Sequence, residues 1–355
     1  MKTRYWNERL RGMAAYTPGF QPPIKAETIK LNTNENPWPP SPLAIQAMVE
    51  SIGSELRLYP PSAWVELRAA ISETYGIGSD RIFCGNGSDE ILSLVFRCFT
   101  DPGDSLLLPW PTYSLYPVLA AAAGCTVEYV ETKDDFTIDL DTMLGRKARI
   151  AILTNPNAPT GILAPPEGLL DFADRFEGLV VIDEAYIDFA PEGSSTLAGL
   201  GTRENVIILR TFSKSFSLCG IRCGYAFAAP GLVEGLVAMK DSYNLDLVAQ
   251  RGATAAIRDI AWMKENAARI VATRRDFVIA LESMGCRVLP SDANFIFMQH
   301  GSVPAGLIQQ MLAEQDIHVR HFSGKRVADW VRISIGTDDE MQRVRTVLAR
   351  VLAGA

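Results

Sequence analysis

The run Leu179-Val180-Val181-Ile182-Asp183-Glu184-Ala185-Tyr186 opens with four apolar residues, three of them β-branched, and then delivers a carboxylate. Unbroken apolarity, rather than alternation, suits a strand buried on both faces, as in helix-covered parallel sheets. The same rhythm repeats on either side, with short β-branched or leucine-rich runs at 82–84, 105–108, 126–130, 149–153, 206–209 and 225–228. Between them lie helix-period segments at 89–99, 113–123, 166–176 and 232–239, the third opening on proline as helix starts often do. This alternation predicts an α/β domain over residues 45–245, with a mostly parallel seven-stranded sheet flanked by crossover helices.

Residues 1–44 are rich in proline and polar groups and show little periodicity, which predicts an arm rather than a domain. After Asn244 the pattern becomes a long helical stretch through about Met284. Strands near 293–298, 317–320 and 330–335 follow, then a helix from Asp338. Residues 246–355 are therefore read as a smaller α/β C-terminal domain that shares its surface with the arm. With 355 residues and 48% hydrophobic composition, the chain buries roughly three quarters of its unfolded surface and needs no disulfide or metal staple.

Net charge is −7, from 34 basic against 41 acidic side chains, and no block of five like charges occurs, so a nucleic-acid partner is not expected. The apolar stretch 116–127 is too short to span a bilayer, and the N-terminal residues lack the apolar core of a secretory signal. A cytoplasmic, membrane-free protein is expected. The six cysteines form no C-x-x-C pair, and the three histidines, His300, His318 and His321, form no H-E-x-x-H motif. No metal is therefore expected, and a histidine triad lacks material.

In open α/β sheets ligands sit beyond the carboxyl ends of strands, and four such ends carry chemistry. Gly85-Asn86-Gly87-Ser88-Asp89-Glu90 joins a strand to a helix, where glycines admit an anion to the helix N-terminus; alone, it reads more readily as a turn with Ser88 as N-cap. Asp183 could hold a ring nitrogen protonated, as an electron-sink cofactor needs, although strand-end acids also bind magnesium or water. Lys214, in Thr211-Phe212-Ser213-Lys214-Ser215, could form a Schiff base, and Arg222 could clamp a phosphate with its planar fork. The turn Asn155-Pro156-Asn157-Ala158-Pro159-Thr160-Gly161 sets rigid amides beside them. A nicotinamide site is disfavoured, because Glu90 stands where G-x-G-x-x-G needs its third glycine.

With these residues in place, the chain resembles the fold-type I pyridoxal-phosphate aminotransferases, and within that family the histidinol-phosphate aminotransferase group. The matched motifs span nearly the whole chain: Tyr16-Thr17-Pro18-Gly19, Asn34-Glu35-Asn36-Pro37, Tyr59-Pro60, Gly87 to Glu90, Pro111-Thr112-Tyr113, Asn155 to Gly161, Asp183 to Tyr186, Ser213-Lys214, Arg222, Tyr243-Asn244, Ala293-Asn294-Phe295 and Val331 to Thr337. The resemblance implies that pyridoxal 5′-phosphate is bound as a Schiff base on Lys214, which then shuttles protons. It implies that Asp183 pairs with the ring nitrogen, Tyr113 stacks on the ring, and Tyr186 bonds the ring hydroxyl. Gly87, Ser88, Asp89, Ser213 and Arg222 would surround the phosphate, joined by Tyr59 from the partner subunit of a homodimer with composite sites.

For substrate, the resemblance implies that Arg332 and Arg320 grip phosphate and carboxylate, with Tyr16 and Asn34 beside them. The implied reaction is amino transfer between histidinol phosphate and 2-oxoglutarate in histidine biosynthesis, a ping-pong exchange yielding imidazole acetol phosphate and glutamate. A decarboxylase of a phosphorylated amino acid, such as phosphothreonine, or an aromatic aminotransferase shares these parts and remains open. One position departs from the family: Ala158 stands where an asparagine usually contacts the ring hydroxyl, with Asn157 one place earlier. If Asn157 does not substitute for it, Tyr186 alone tunes that oxygen and the Schiff-base pKa shifts.

Overall fold

A computed structural model describes residues 3–23, 25 and 27–353. The arm contributes one short strand, β1 (Ile29–Lys30). The seven strands expected between 82 and 228 follow as β2 (Ile82–Gly85), β3 (Ser105–Trp110), β4 (Thr126–Glu131), β5 (Ile150–Thr154), β6 (Leu179–Asp183), β7 (Val206–Thr211) and β8 (Gly224–Ala228). They form one sheet in the order β2-β8-β7-β6-β5-β3-β4. β8 runs antiparallel to both its neighbours and the remaining pairs are parallel, so the expected mostly parallel sheet is present. Val180, Val181 and Ile182 are fully buried, as an unbroken apolar run requires. The strands run a residue or two past the apolar runs, keeping Thr154, Asp183 and Thr211 in the ladder, with Thr154 paired to Asp183 and Thr211 to Gly224.

The C-terminal part holds β9 (Cys286–Val288), β10 (Phe295–His300), β11 (Ile317–His318), β12 (Arg320–His321) and β13 (Val331–Ser334). Four of these make an antiparallel sheet, β12-β13-β10-β9, while β11 pairs in parallel with β1 of the arm. The strand expected at 317–320 is thus two strands in two sheets. The break falls at Val319, and it turns Arg320 away from the arm pair to lie opposite Arg332.

Other expectations are corrected. The arm boundary at residue 44 cuts a helix, Pro42–Glu50, that starts on the N-cap Ser41. That helix and a second, Val65–Tyr75, escape a pattern reading because apolar residues lie on their outer faces as well, with Leu43, Ile45, Val49 and Val65 exposed, and only Ala44 in the first and Leu67, Ala70 and Ile71 in the second buried. The helical stretch after 244 is two helices, Leu247–Arg258 and Ile260–Ser283, joined at Asp259. A helix at Ala305–Ala313 and the strand β9 were also unforeseen. The segment expected as helix from 113 begins instead at Tyr116, which leaves Tyr113 in the preceding loop.

Candidate active site

The helix Gly87–Phe99 buries Ile91, Leu94 and Val95 against the sheet and points its N-terminus at the strand ends. Ser88 is not its N-cap; that position is Asn86, whose N–H donates to the Glu90 carboxylate at 2.5 Å. Ser88 is thereby inside the first turn, its backbone N–H among those a helix start leaves free for an anion. Gly87 has φ +80°, and a Cβ there would lie 2.6 Å from Arg222 Nη2. A Cβ on Gly224 would lie 2.6 Å from the Ser88 nitrogen, so glycine lets β8 press against the helix start. The Arg222 guanidinium closes the cradle, donating to Ser213 Oγ at 3.2 Å and pairing with Asp89 at 3.4 Å. A half-exposed guanidinium, free helix N–H groups and a wall with no room for a side chain fit a phosphate group.

Beside the cradle, Asp183 is buried and its pKa is pushed up to about 6 by burial, reinforced by the charges of Asp89 and Glu184. Two donors oppose that shift: the Tyr116 hydroxyl to Oδ2 at 2.8 Å and the Ala185 N–H to Oδ1 at 3.1 Å. A desolvated carboxylate so placed is suited to a cationic ring nitrogen. Lys214 donates from Nζ to the Thr33 carbonyl at 3.1 Å and lies 5.8 Å from the Tyr186 ring centre. Its backbone is held on two sides: Asn36 Nδ2 donates to the carbonyls of Lys214 and Ser215, and Ser215 Oγ donates to Asp188. Asp188 and Glu184 share the buried Arg210.

Two of the expected site residues make hydrogen bonds within the protein. Asn34, expected at the substrate, is 1% exposed, and its amide donates to the Tyr186 hydroxyl at 2.9 Å while accepting from Ser334 Oγ at 3.0 Å. One of its amide protons is thus used to orient Tyr186, whose hydroxyl accepts that bond and keeps its own proton as a donor. Asn157, expected at the cofactor, directs both amide protons elsewhere, to the Pro111 carbonyl and Thr160 Oγ1, each at 3.0 Å. Asn157 therefore anchors the loop that carries Tyr113 and leaves no donor to replace the one missing at Ala158. Tyr113 meets Tyr16 of the arm edge-on at 6.2 Å and Tyr116 at 5.4 Å.

On the opposite wall Arg320 and Arg332 are cross-strand partners. Arg332 donates to the Asn32 carbonyl at 3.0 Å and lies over Phe295 and Phe322, while its Nε is buried with no partner. Burial, together with the like charge of Arg320, lowers its pKa. Like charges directly opposite are destabilising, and an unpaired buried donor costs about 1–3 kcal/mol, so this pair is built to receive an anion. The arm passes close by, since a Cβ on Gly19 would come within 3.7 Å of Arg320. Tyr59 stacks flat on Tyr243 at 4.3 Å and is 80% exposed. Among the described residues there is no cluster of potential metal ligands.

Sequence reasoning missed Tyr116, Thr154, Asn36 and Asp188. A signal existed for one of them: Thr154 closes an otherwise apolar strand and is the ladder partner of Asp183. Tyr116 opens an alanine-rich stretch that reads as plain core.

The family model for aminotransferase class I and II matches residues 26–348. Histidinol-phosphate aminotransferase 2 of Gluconobacter oxydans is 40% identical over 99% of both chains, and the Clostridium acetobutylicum histidinol-phosphate aminotransferase is 39% identical over 99% of this chain and all of its own. Among solved structures, histidinol-phosphate aminotransferase from Sinorhizobium meliloti, in complex with pyridoxal-5′-phosphate, superposes with a TM-score of 0.90 at 24% identity over 99% of each chain. Thermus thermophilus aspartate aminotransferase with maleate gives 0.81 at 20% identity, covering 98% of this chain and all of its own, which speaks for a shared fold alone. A phosphate cradle, a buried carboxylate and a lysine gathered at the ends of one sheet agree with these likenesses, and the chain belongs to the class I and II aminotransferases.

Proposed function

We propose that this chain transfers the amino group of histidinol phosphate to 2-oxoglutarate, a step of histidine biosynthesis, with pyridoxal 5′-phosphate as cofactor. The observation that carries this reading is the Arg320–Arg332 pair, separate from the phosphate cradle around Arg222. Two anion sites are what a phosphorylated substrate and a phosphorylated cofactor need together. The curated relatives named above carry the same activity in their names.

The cofactor supplies an electron sink that acidifies Cα–H of an attached amine and carries nitrogen between substrates. Everything else falls to the protein. Gly87, Ser88, Asp89, Ser213 and Arg222 hold the cofactor phosphate, and Asp183 keeps the ring nitrogen protonated. Tyr113 covers the ring face, and Tyr186, oriented by Asn34, donates to the ring hydroxyl oxygen. Lys214 Nζ would anchor the cofactor covalently and would take and return the proton at the substrate Cα. Arg332 and Arg320 bind the substrate phosphate in one half-reaction and a carboxylate in the other, with Tyr16 adding a hydroxyl.

We further propose an N-terminal arm that ends before the helix Pro42–Glu50, a large domain up to residue 245 and a small domain 246–355; residues 1–2, 24, 26 and 354–355 lie outside those described. A homodimer is supported by the concentration of exposed large apolar side chains between residues 43 and 65, among them Leu43, Val49, Ile52, Leu58, Tyr59 and Val65. Tyr59 of the partner subunit would then complete the cradle. A cytoplasmic location is supported by six unpaired cysteines. Among the described residues no helix is long and apolar enough to cross a membrane.

The test is a visible-absorbance scan with histidinol phosphate and no keto acid. Loss of the cofactor band in wild type, its return with 2-oxoglutarate, and no response in Lys214→Ala are expected. An unchanged band with histidinol phosphate, alongside a response to phosphothreonine or phenylalanine, would overturn the substrate assignment.

A further inference from the structure

Tyr116 is fully buried, and its hydroxyl bonds Asp183 and Thr154, the ladder partner of Asp183. It donates to Asp183 Oδ2 at 2.8 Å and sits 2.7 Å from Thr154 Oγ1. A phenol has one proton; when that proton is spent on an ionised carboxylate, Thr154 must be the donor to Tyr116. The relay therefore runs from Thr154 to Tyr116 to Asp183. If Asp183 is protonated, its own O–H must point at Tyr116 and the relay reverses, so its polarity is tied to the charge on one carboxylate.

Resting on the cofactor assignment above, we infer that Tyr116, backed by Thr154, is a positioning residue that holds Asp183 ionised and aimed for the cofactor ring nitrogen. The need for such a device comes from the surroundings of the carboxylate. Burial disfavours its charge, and the two other charges that bear on it, Asp89 and Glu184, are both negative. Against these stand only the Tyr116 hydroxyl and the Ala185 N–H. Each carboxylate oxygen has one fixed donor, and Tyr116 stops Oδ2 from turning. The geometry is reinforced because Thr154 and Asp183 are ladder partners at the ends of β5 and β6, while Tyr116 opens the helix Tyr116–Ala123. A burial role alone would not require a phenol here, because phenylalanine fills the same space.

The experiment measures pyridoxal 5′-phosphate affinity of the cofactor-free full chain by fluorescence quenching, across the pH range over which Asp183 titrates. Wild type, Tyr116→Phe and Thr154→Val are compared, so the cofactor's own ionisations cancel. Affinity is expected to weaken as pH falls in every protein. Loss of a hydrogen bond to the charged form is expected to move the midpoint upward by roughly one pH unit in Tyr116→Phe, and by roughly half that in Thr154→Val. Unmoved midpoints, or affinity reduced by one factor at every pH, would overturn the inference and leave Tyr116 as packing. Should Tyr116→Phe not fold, the Thr154→Val midpoint decides alone. Wild type that binds no cofactor at any pH would instead refute the cofactor assignment itself.

Discussion

Removing the Arg210 guanidinium by Arg210→Met tests whether the charge cluster behind Lys214 holds that loop together. Arg210 is 5% exposed and Glu184 1% exposed. Its Nε and Nη2 reach Glu184 Oε2 at 3.0 and 2.9 Å, Nη2 donates to Ser195 Oγ at 2.8 Å, and Nη1 pairs with Asp188 at 3.4 Å. Methionine conserves much of the volume but strands Glu184, and breaking one side of a buried pair costs about 3–5 kcal/mol. Glu184 keeps donors from Ser195 Oγ and from the Thr196 nitrogen and hydroxyl, so the expected loss sits at the lower end, about 3 kcal/mol. In a chain of 355 residues, where the unfolding entropy is about 0.75 kcal/mol per kelvin, that corresponds to a fall in Tm of roughly 4 °C, read by calorimetry at fixed protein and cofactor concentrations. Glu184→Gln in the Arg210→Met background removes the stranded charge, so the double variant is expected to be about 1–2 kcal/mol more stable than the sum of the singles. Additivity within about 0.5 kcal/mol would refute the pairing as the source of the loss.

Two further outcomes are expected. Because the folded pKa of Asp183, about 6, lies above its ordinary 3.8, the group's stabilising contribution is present below about pH 4 and is lost as pH rises through 6. Cofactor-free Asp183→Asn should therefore match wild type near pH 4 and exceed it at neutral pH by up to roughly 3 kcal/mol, while losing cofactor affinity; coincident melting curves at both pH values would contradict this. Gly87→Ala forces a side chain into φ +80° and against Arg222, so pyridoxal 5′-phosphate should bind roughly tenfold or more weakly while unphosphorylated pyridoxal binds about as before. Equal losses for both ligands would show that the cradle does not serve the phosphate.

The sheet was legible because burial on both faces leaves an unbroken apolar signature, and all seven strands lay where those runs stand. Arg222, Asp183 and Lys214 were legible for a related reason: a charged or polar group directly after such a run must emerge at a strand end, where ligands gather. Local pattern was silent on which partner each polar group takes. Asn34 and Asn157 were read as ligand contacts, yet Asn34 bonds Tyr186, 152 residues away, and Asn157 anchors Pro111. Tyr116 was hidden in an alanine-rich stretch, and Arg320 came to face Arg332 only because the chain breaks at Val319 and changes sheets. Apolar burial is additive and local enough to read along a chain. Hydrogen-bond and charge partners are fixed by contacts between residues far apart in sequence, so these were decided by the tertiary structure alone.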